Sequence, residues 1–238
     1  MFEIKDLGFN YGKKVVFHDI SFTINEGDFL CLMGPNGSGK TTFLQMLEGF
    51  LVPQHGEISY KGMNLRKWLD KPITKKKYHQ QVGILFQNVD IQLFNSTVYD
   101  EIAFGPKQMN LSQEEVDERV NDCLRLFNLE HLKDNVPYHL SGGEKRMVAL
   151  ASVLALNPQV ILLDEPLIGL TNDNRQKMLH IFKQLNQIGK TIILITHYYQ
   201  QIKELASDYL IFKDGTAQHK TQDELQESPD LIEQVEKY

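Results

Sequence analysis

Cysteine is scarce: the 238 residues contain two, Cys31 and Cys123. Their separation matches no zinc-site spacing. One thiol in an apolar strand and one in a helix suit a reducing cytosol, and they exclude a disulfide framework. Long hydrophobic runs are also lacking. The longest, MVALASVLAL, is about half of the ~20 residues that span a bilayer as a helix. The opening MFEIKDL does not have the pattern of a secretory leader. The chain is therefore expected to be soluble by itself, so a role at a membrane would require a partner to hold it there. An excess of basic charge is missing too. Lysine and arginine number 25 against 31 acidic residues, for a net charge of −6, which gives no support for general nucleic-acid binding. The one basic run, KWLDKPITKKK, reads as a solvated face or loop, with contact to acidic lipid headgroups as the alternative. No internal repeat or low-complexity linker divides the chain. Its 42% apolar content suffices for one substantial core.

What is present centres on GPNGSGKTT, residues 34–42. An apolar strand, FLCLM, leads into it and a helical stretch, TTFLQML, leads out. Gly34, Gly37 and Gly39 allow turns closed to other residues and bring backbone N–H groups close to an anion. The helix start adds free donors and a positive dipole end. Lys40 can reach the β- and γ-phosphates of a nucleotide, and the Thr41 hydroxyl can ligate Mg²⁺. Asn36, Gly37, Ser38, Gly39, Lys40, Thr41 and Thr42 are thus the candidate phosphate-loop residues. With glycine usage of ~7%, the bare pattern arises by chance in roughly one chain of this length in a hundred. The flanking strand and helix lower that further.

The pattern along the chain is α/β with a helical interruption. Residues 1–26 alternate like two strands around a turn at 10–13, and EISY is a short strand after Pro53 and Gly56. Residues 63–79 are polar and resist assignment. Residues 82–87, VGILFQ, read as a buried strand. From 88 to 156 the character is mostly helical: VYDEIAFGP is a short helix stopped at Gly105 and Pro106. Ser112 with Glu115 and Ser141 with Glu144 are capping boxes opening helices to about 128 and 156. VILLD and TIILIT are fully apolar strands, as a parallel sheet covered on both faces demands. A helix at 173–188 separates them and another follows at 199–206. DYLIF and TAQHK suggest a hairpin about Asp214 and Gly215, and Thr221 with Glu224 caps a helical tail.

Hydrolysis of a Mg²⁺-nucleotide needs further carboxylates, and VILLDEP supplies them. Asp164 emerges at the C-terminal end of a buried strand, where open α/β sheets place ligands. It suits a Mg²⁺ ligand, and Glu165 suits the general base that polarises the attacking water. Alone, such a pair serves equally as a cap on a strand–helix turn; a phosphate loop in the same chain favours the catalytic reading.

LSGGEKRMVALASVLALNP resembles the signature of ATP-binding-cassette (ABC) ATPases. With GPNGSGKTT, Gln87 and His197 in matching order, the resemblance covers nearly the whole chain. It implies a phosphate-loop α/β core at 27–89 and 158–205, an N-terminal antiparallel β layer at 1–26 and 57–60, and an inserted helical subdomain at 90–157. A C-terminal hairpin and helical tail follow at 206–238. It also implies an ATPase that uses ATP and Mg²⁺. In the family two subunits meet head to tail, with each ATP held between the phosphate loop of one and the signature of the other. Ser141, Gly142 and Gly143 would thus serve the partner's nucleotide. Tyr11 resembles the aromatic that stacks on adenine, a contact that tolerates either purine. Gln87 matches the glutamine that senses Mg²⁺ and the attacking water. His197 matches the switch histidine that contacts the γ-phosphate.

Three positions depart from the pattern. Thr171 stands where the family has an Asp that links the two sites, Tyr198 replaces a common Asp, and Glu144 replaces a common Gln. The stretch FQNVDIQLFNSTVYDEIAFGP, 86–106, is similar to ATPases of energy-coupling-factor (ECF) transporters and cobalt and nickel importers, chiefly at Asp90, Gln92, Leu93 and Phe94. Val89 replaces a frequent proline. The resemblance implies an importer of vitamins or transition-metal ions. Its ATPases, peripheral on the cytoplasmic face of the membrane, pair with themselves or a paralogue. They bind a transmembrane coupling protein through the segment after Gln87, and a substrate-binding membrane protein only indirectly. No nucleic-acid partner is implied. A conventional ABC permease or exporter ATPase, a soluble non-transport ABC ATPase, and a cassette that binds without turnover are the alternatives.

Overall fold

The computed structural model describes residues 1–236. Two sheets form the frame. The first has four strands: β1 (Phe2–Tyr11), β2 (Lys14–Ile24), β4 (His55–Tyr60) and β5 (Met63–Asn64), in the order β2-β1-β4-β5 and antiparallel throughout. Between β2 and β4 the chain enters β3 (Phe29–Met33) and α1 (Lys40–Glu48). After β5 come α2 (Leu65–Asp70), α3 (Pro72–Gln81) and β6 (Val82–Leu85).

The helical block follows as α4 (Val98–Lys107), α5 (Gln113–Phe127) and α6 (Gly142–Leu154). The chain then runs β7 (Val160–Asp164), α7 (Asn172–Gln187), β8 (Thr191–Ile195), α8 (Tyr199–Ile202), β9 (Asp208–Lys213), β10 (Thr216–Thr221), α9 (Gln222–Gln226) and α10 (Pro229–Glu236). The second sheet has the order β10-β9-β3-β8-β7-β6. Its strands are parallel except for the β9–β10 hairpin at one edge.

Strand alternation decides which core each residue joins. In β3, Leu30 and Leu32 point to a core shared by the two sheets and α1, with Phe17, Phe43 and Phe212 at its centre. Phe29, Cys31 and Met33 point the other way, to a core built with α4, α5, α6 and α7. Both faces of β3 are therefore covered, which explains its uninterrupted apolar sequence. The β9–β10 hairpin is part of this sheet, because β9 pairs in parallel with β3.

Local chemistry sets the helix starts. Ser112 with Glu115, Ser141 with Glu144 and Thr221 with Glu224 all close as reciprocal capping boxes. The unassigned stretch 63–79 folds as β5, α2 and most of α3, anchored by aromatic packing of Trp68 and Tyr78 against Tyr60. Pro72 opens α3 at its first turn, where a missing N–H costs nothing. The expected stop at Gly105 and Pro106 is not made: α4 runs through both to Lys107. Pro106 lies in the last turn. β6 ends at Leu85, so Gln87 lies beyond the strand, and α8 is shorter than the expected 199–206.

Candidate functional site

The loop between β3 and α1 must bend sharply around an anion-sized space. Gly34 has φ +132° and a Cβ there would lie 2.3 Å from the Phe212 carbonyl oxygen. Gly39 has φ +107° and a Cβ would meet Phe17 and Val16 at 2.8 Å. Glycine is required at both places by strain and by space. The loop then delivers α1 with its first N–H groups free. Lys40 is buried and donates from Nζ to the carbonyls of Gly34 and Pro35, at 2.7 and 2.9 Å.

Above this loop lies a cleft of about 400 Å³. It brings together Tyr11, Asn36, Gly37, Gly39, Lys40, Thr41, Thr42, Gln87, Asp164, Glu165 and His197, which come from five separate stretches of sequence. Tyr11 sits at its rim, about half exposed, edge-on to Phe9. Ser38 is not among the lining residues; its hydroxyl is buried without a hydrogen-bond partner. Ser141, Gly142 and Gly143 do not line the cleft either. Ser141 and Gly142 are exposed at the start of α6, and Gly143 lies against Leu170 and Asn174.

The end of β7 carries Asp164, and Glu165 follows it. Thr41 donates to the Asp164 carboxylate at 3.2 Å. A hydroxyl and a carboxylate oxygen this close are the hard donors that Mg²⁺ takes together with nucleotide phosphates. Among the described residues, no group of three or more His, Cys, Asp or Glu could hold a metal alone. Glu165 sits at φ +50°, in the left-handed region, a conformation that costs on the order of 1–3 kcal/mol for such a residue. Its N–H donates to the Ile195 carbonyl, and its carboxylate lies 2.9 Å from His197 Nε2. His197 Nδ1 is buried without a partner.

Burial shifts this cluster toward neutrality. It pushes the Glu165 carboxyl up to about 7, aided by the neighbouring Asp164 and opposed by Lys40 and Arg146. Asp164 is raised by burial, with the Thr41 hydrogen bond and Lys40 opposing. Lys40 is lowered by burial, with the carboxylates opposing, and His197 is lowered by burial and by Lys40. A carboxyl poised near neutral pH, beside an imidazole, is equipped to take a proton from water.

Arg146 was not singled out by the sequence reading. It is buried on α6, five residues after Ser141, and its guanidinium donates to the Glu165 carbonyl at 2.5 Å and to the Gln87 carbonyl at 3.0 Å. One side chain of α6 thus ties together the segments that carry Gln87 and Glu165. Its neighbour Lys145 pairs with Asp90 at 2.7 Å, in the segment after Gln87. The available sequence signal was adjacency to the signature, but the two carbonyl partners are 19 and 59 residues away.

Comparison with known proteins places this geometry. The family model described as ABC transporter matches residues 17–168. The nickel import ATP-binding protein LarO of Lactiplantibacillus plantarum is 46% identical over 221 residues, covering 89% of this chain and 88% of that protein. The energy-coupling factor transporter ATP-binding protein EcfA1 of Fusobacterium nucleatum is 36% identical over 220 residues, covering 92% and 81%. The solved structure of cbiO1 from Clostridium perfringens, part of the ABC transporter complex cbiONQ, superimposes with a TM-score of 0.84 at 30% identity, covering 98% of this chain and 93% of that one. The cleft, its phosphate loop and these relatives agree: the chain belongs to the ABC transporter family and is an ATP-binding, ATP-hydrolysing cassette of it.

Proposed function

We propose that this cassette drives an ECF-type importer of vitamins or transition-metal ions, as one of two ATPase subunits on the cytoplasmic face of the membrane. The observation that carries the reading is a groove of about 230 Å³ on the flank of the ATP cleft. The segment after Gln87 supplies Gln92 and Phe94, α4 supplies Phe104, and Phe86 and His79 close the wall. Phe94 and Phe104 are exposed and meet edge to face at 5.0 Å. Exposed aromatics around a groove are characteristic of a surface that takes a partner helix. No helix among the described residues is long and apolar enough to cross a membrane, so a coupling membrane protein in this groove would hold the chain in place. Likeness to a nickel import protein, an ECF ATPase and a member of cbiONQ supports the importer class.

The reaction follows from the cleft. Lys40 and the N–H groups at the start of α1 bind the ATP phosphates, and Tyr11 covers the base. Thr41 and Asp164, with Gln87 nearby, would hold Mg²⁺, which would supply charge neutralisation to the nucleotide phosphates. Glu165 takes the proton of the attacking water, and His197, 2.9 Å from its carboxylate, contacts the γ-phosphate. The Gly142 and Gly143 N–H groups at the start of α6 are spare donors outside their own cleft, so they serve the ATP of a second subunit. Closure of the pair moves α6, and through Arg146 and the Lys145–Asp90 pair it moves the groove.

Mild-detergent purification of the tagged chain from native membranes, with mass spectrometry, tests this. A coupling membrane protein with a small substrate-binding membrane protein is the expected recovery. A conventional permease pair would replace the subfamily, and wholly soluble partners would remove the transport role.

A further inference from the structure

The groove leaves one feature of the chain unused. Residues 61–77 hold seven of the 25 lysines and arginines and one of the 31 acidic residues. In the fold they form a platform fastened to the core. Trp68 donates to the Tyr60 carbonyl at 3.1 Å, and Tyr78 is fully buried with its hydroxyl on the Leu47 carbonyl. The aromatics face inward, while Lys67, Lys71, Lys75, Lys76 and Lys77 are all exposed. Among the described residues, none of these five lysines forms an ion pair within the chain. Lys71 and Lys75 are four apart, and 75–77 are contiguous. Like charges four apart destabilise a helix, and among the described residues no ion pair offsets these lysines.

We propose that this face, the outer side of α2 and α3, binds the anionic headgroups of the lipid bilayer. Three observations favour lipid. Ile73 stands 73% exposed and, three and four residues before Lys76 and Lys77, shares their side of α3, an aliphatic side chain that can enter the headgroup boundary while those lysines meet the phosphates. Trp68 and Tyr78 pack against Tyr60, so residues 61–78 present no free ring for the base stacking by which single-stranded nucleic acid is held. Lys75 and Lys76 lie one helical turn before His79, which forms part of the groove wall. The patch is therefore continuous with the face that meets the membrane partner. That placement rests on the importer reading; the basic platform itself does not. The patch would orient the subunit and raise its local concentration at the bilayer, within reach of the groove's occupant.

The test uses the purified full chain and vesicles that contain no protein. Co-sedimentation is compared on phosphatidylcholine alone and on phosphatidylcholine mixed with phosphatidylglycerol. The expected result is enrichment on the anionic vesicles of roughly tenfold or more, falling as salt rises. The K71E/K75E/K76E/K77E variant loses that enrichment while keeping wild-type ATPase activity and Tm. If charge reversal disturbs folding, the same four positions changed to Gln give the same loss. Equal binding to both vesicle types, or undiminished binding by a folded variant, overturns the proposal. Tighter binding to a single-stranded RNA with the same dependence on these lysines overturns the lipid assignment in favour of nucleic acid. A Phe104→Asp variant separates the two readings: it releases the membrane partner and keeps vesicle binding.

Discussion

Replacing Arg146 by Met removes both guanidinium donors and keeps the length of the side chain. The Gln87 carbonyl would lose its 3.0 Å contact, and the Glu165 carbonyl would keep only a 3.4 Å contact from the Ile168 N–H. Hydrogen bonds from a charged donor contribute about 1.5–3 kcal/mol each. Two of them set an upper bound of roughly 3–6 kcal/mol, reduced because burial of the guanidinium is itself unfavourable, as its lowered pKa indicates. A net loss of about 2–3 kcal/mol leaves a folded chain when domains carry 5–15 kcal/mol. The catalytic effect is separate. Glu165 is held at φ +50°, and relaxation of that backbone swings its carboxylate away from His197. A displacement of about 1 Å can cost about a hundredfold in rate. The expected result is a 10- to 100-fold fall in kcat, on the order set by such misplacement, with KM for ATP nearly unchanged. Arg146→Lys should fall between, because one ammonium cannot span both carbonyls. Steady-state ATPase kinetics with urea unfolding on the same samples gives both numbers. A folded Arg146→Met protein with wild-type kcat would refute the positioning argument.

Gly34→Ala places a methyl group 2.3 Å from the Phe212 carbonyl, so a Tm drop corresponding to more than about 2 kcal/mol is expected, read by thermal unfolding. Lys40→Ala should abolish nucleotide binding in a fluorescent-ATP titration, while the Thr41–Asp164 contact leaves the fold intact. Thr171 caps α7 through a 3.4 Å bond from the Asn174 N–H, a role Asp also fills. Thr171→Asp should therefore keep Tm and change the rate or the ATP cooperativity in the assembled complex; unchanged kinetics there would remove the linkage idea.

Much of this was legible where the signal is local. The glycines of 34–39, the three capping boxes and the apolar strands β3, β7 and β8 each carry their reason within a few residues. The stretch 63–81 was not legible because its core side chains, Trp68 and Tyr78, are spaced among lysines and give little periodicity. α4 passes Pro106 because a proline in the last turn spoils little of the hydrogen-bond ladder. The sheet order, the pairing of β9 with β3, and the grip of Arg146 on Gln87 and Glu165 are long-range. Single-sequence patterns hold no trace of them. The positions of Gln87 and His197 needed the family order, since a lone polar residue after a strand has no local meaning.

The most direct test of the central claim, that two copies or paralogues close on ATP with Glu165 as the base, uses Glu165→Gln. The variant is incubated with ATP and Mg²⁺, then assayed for turnover and for mass in solution. The account predicts retained ATP binding, a stable closed dimer with ATP trapped at Lys40 and Ser141, and turnover reduced by roughly a hundredfold or more. Wild-type turnover would move the base to another residue, and ATP-bound monomers with no self- or paralogue-pairing would contradict the shared site.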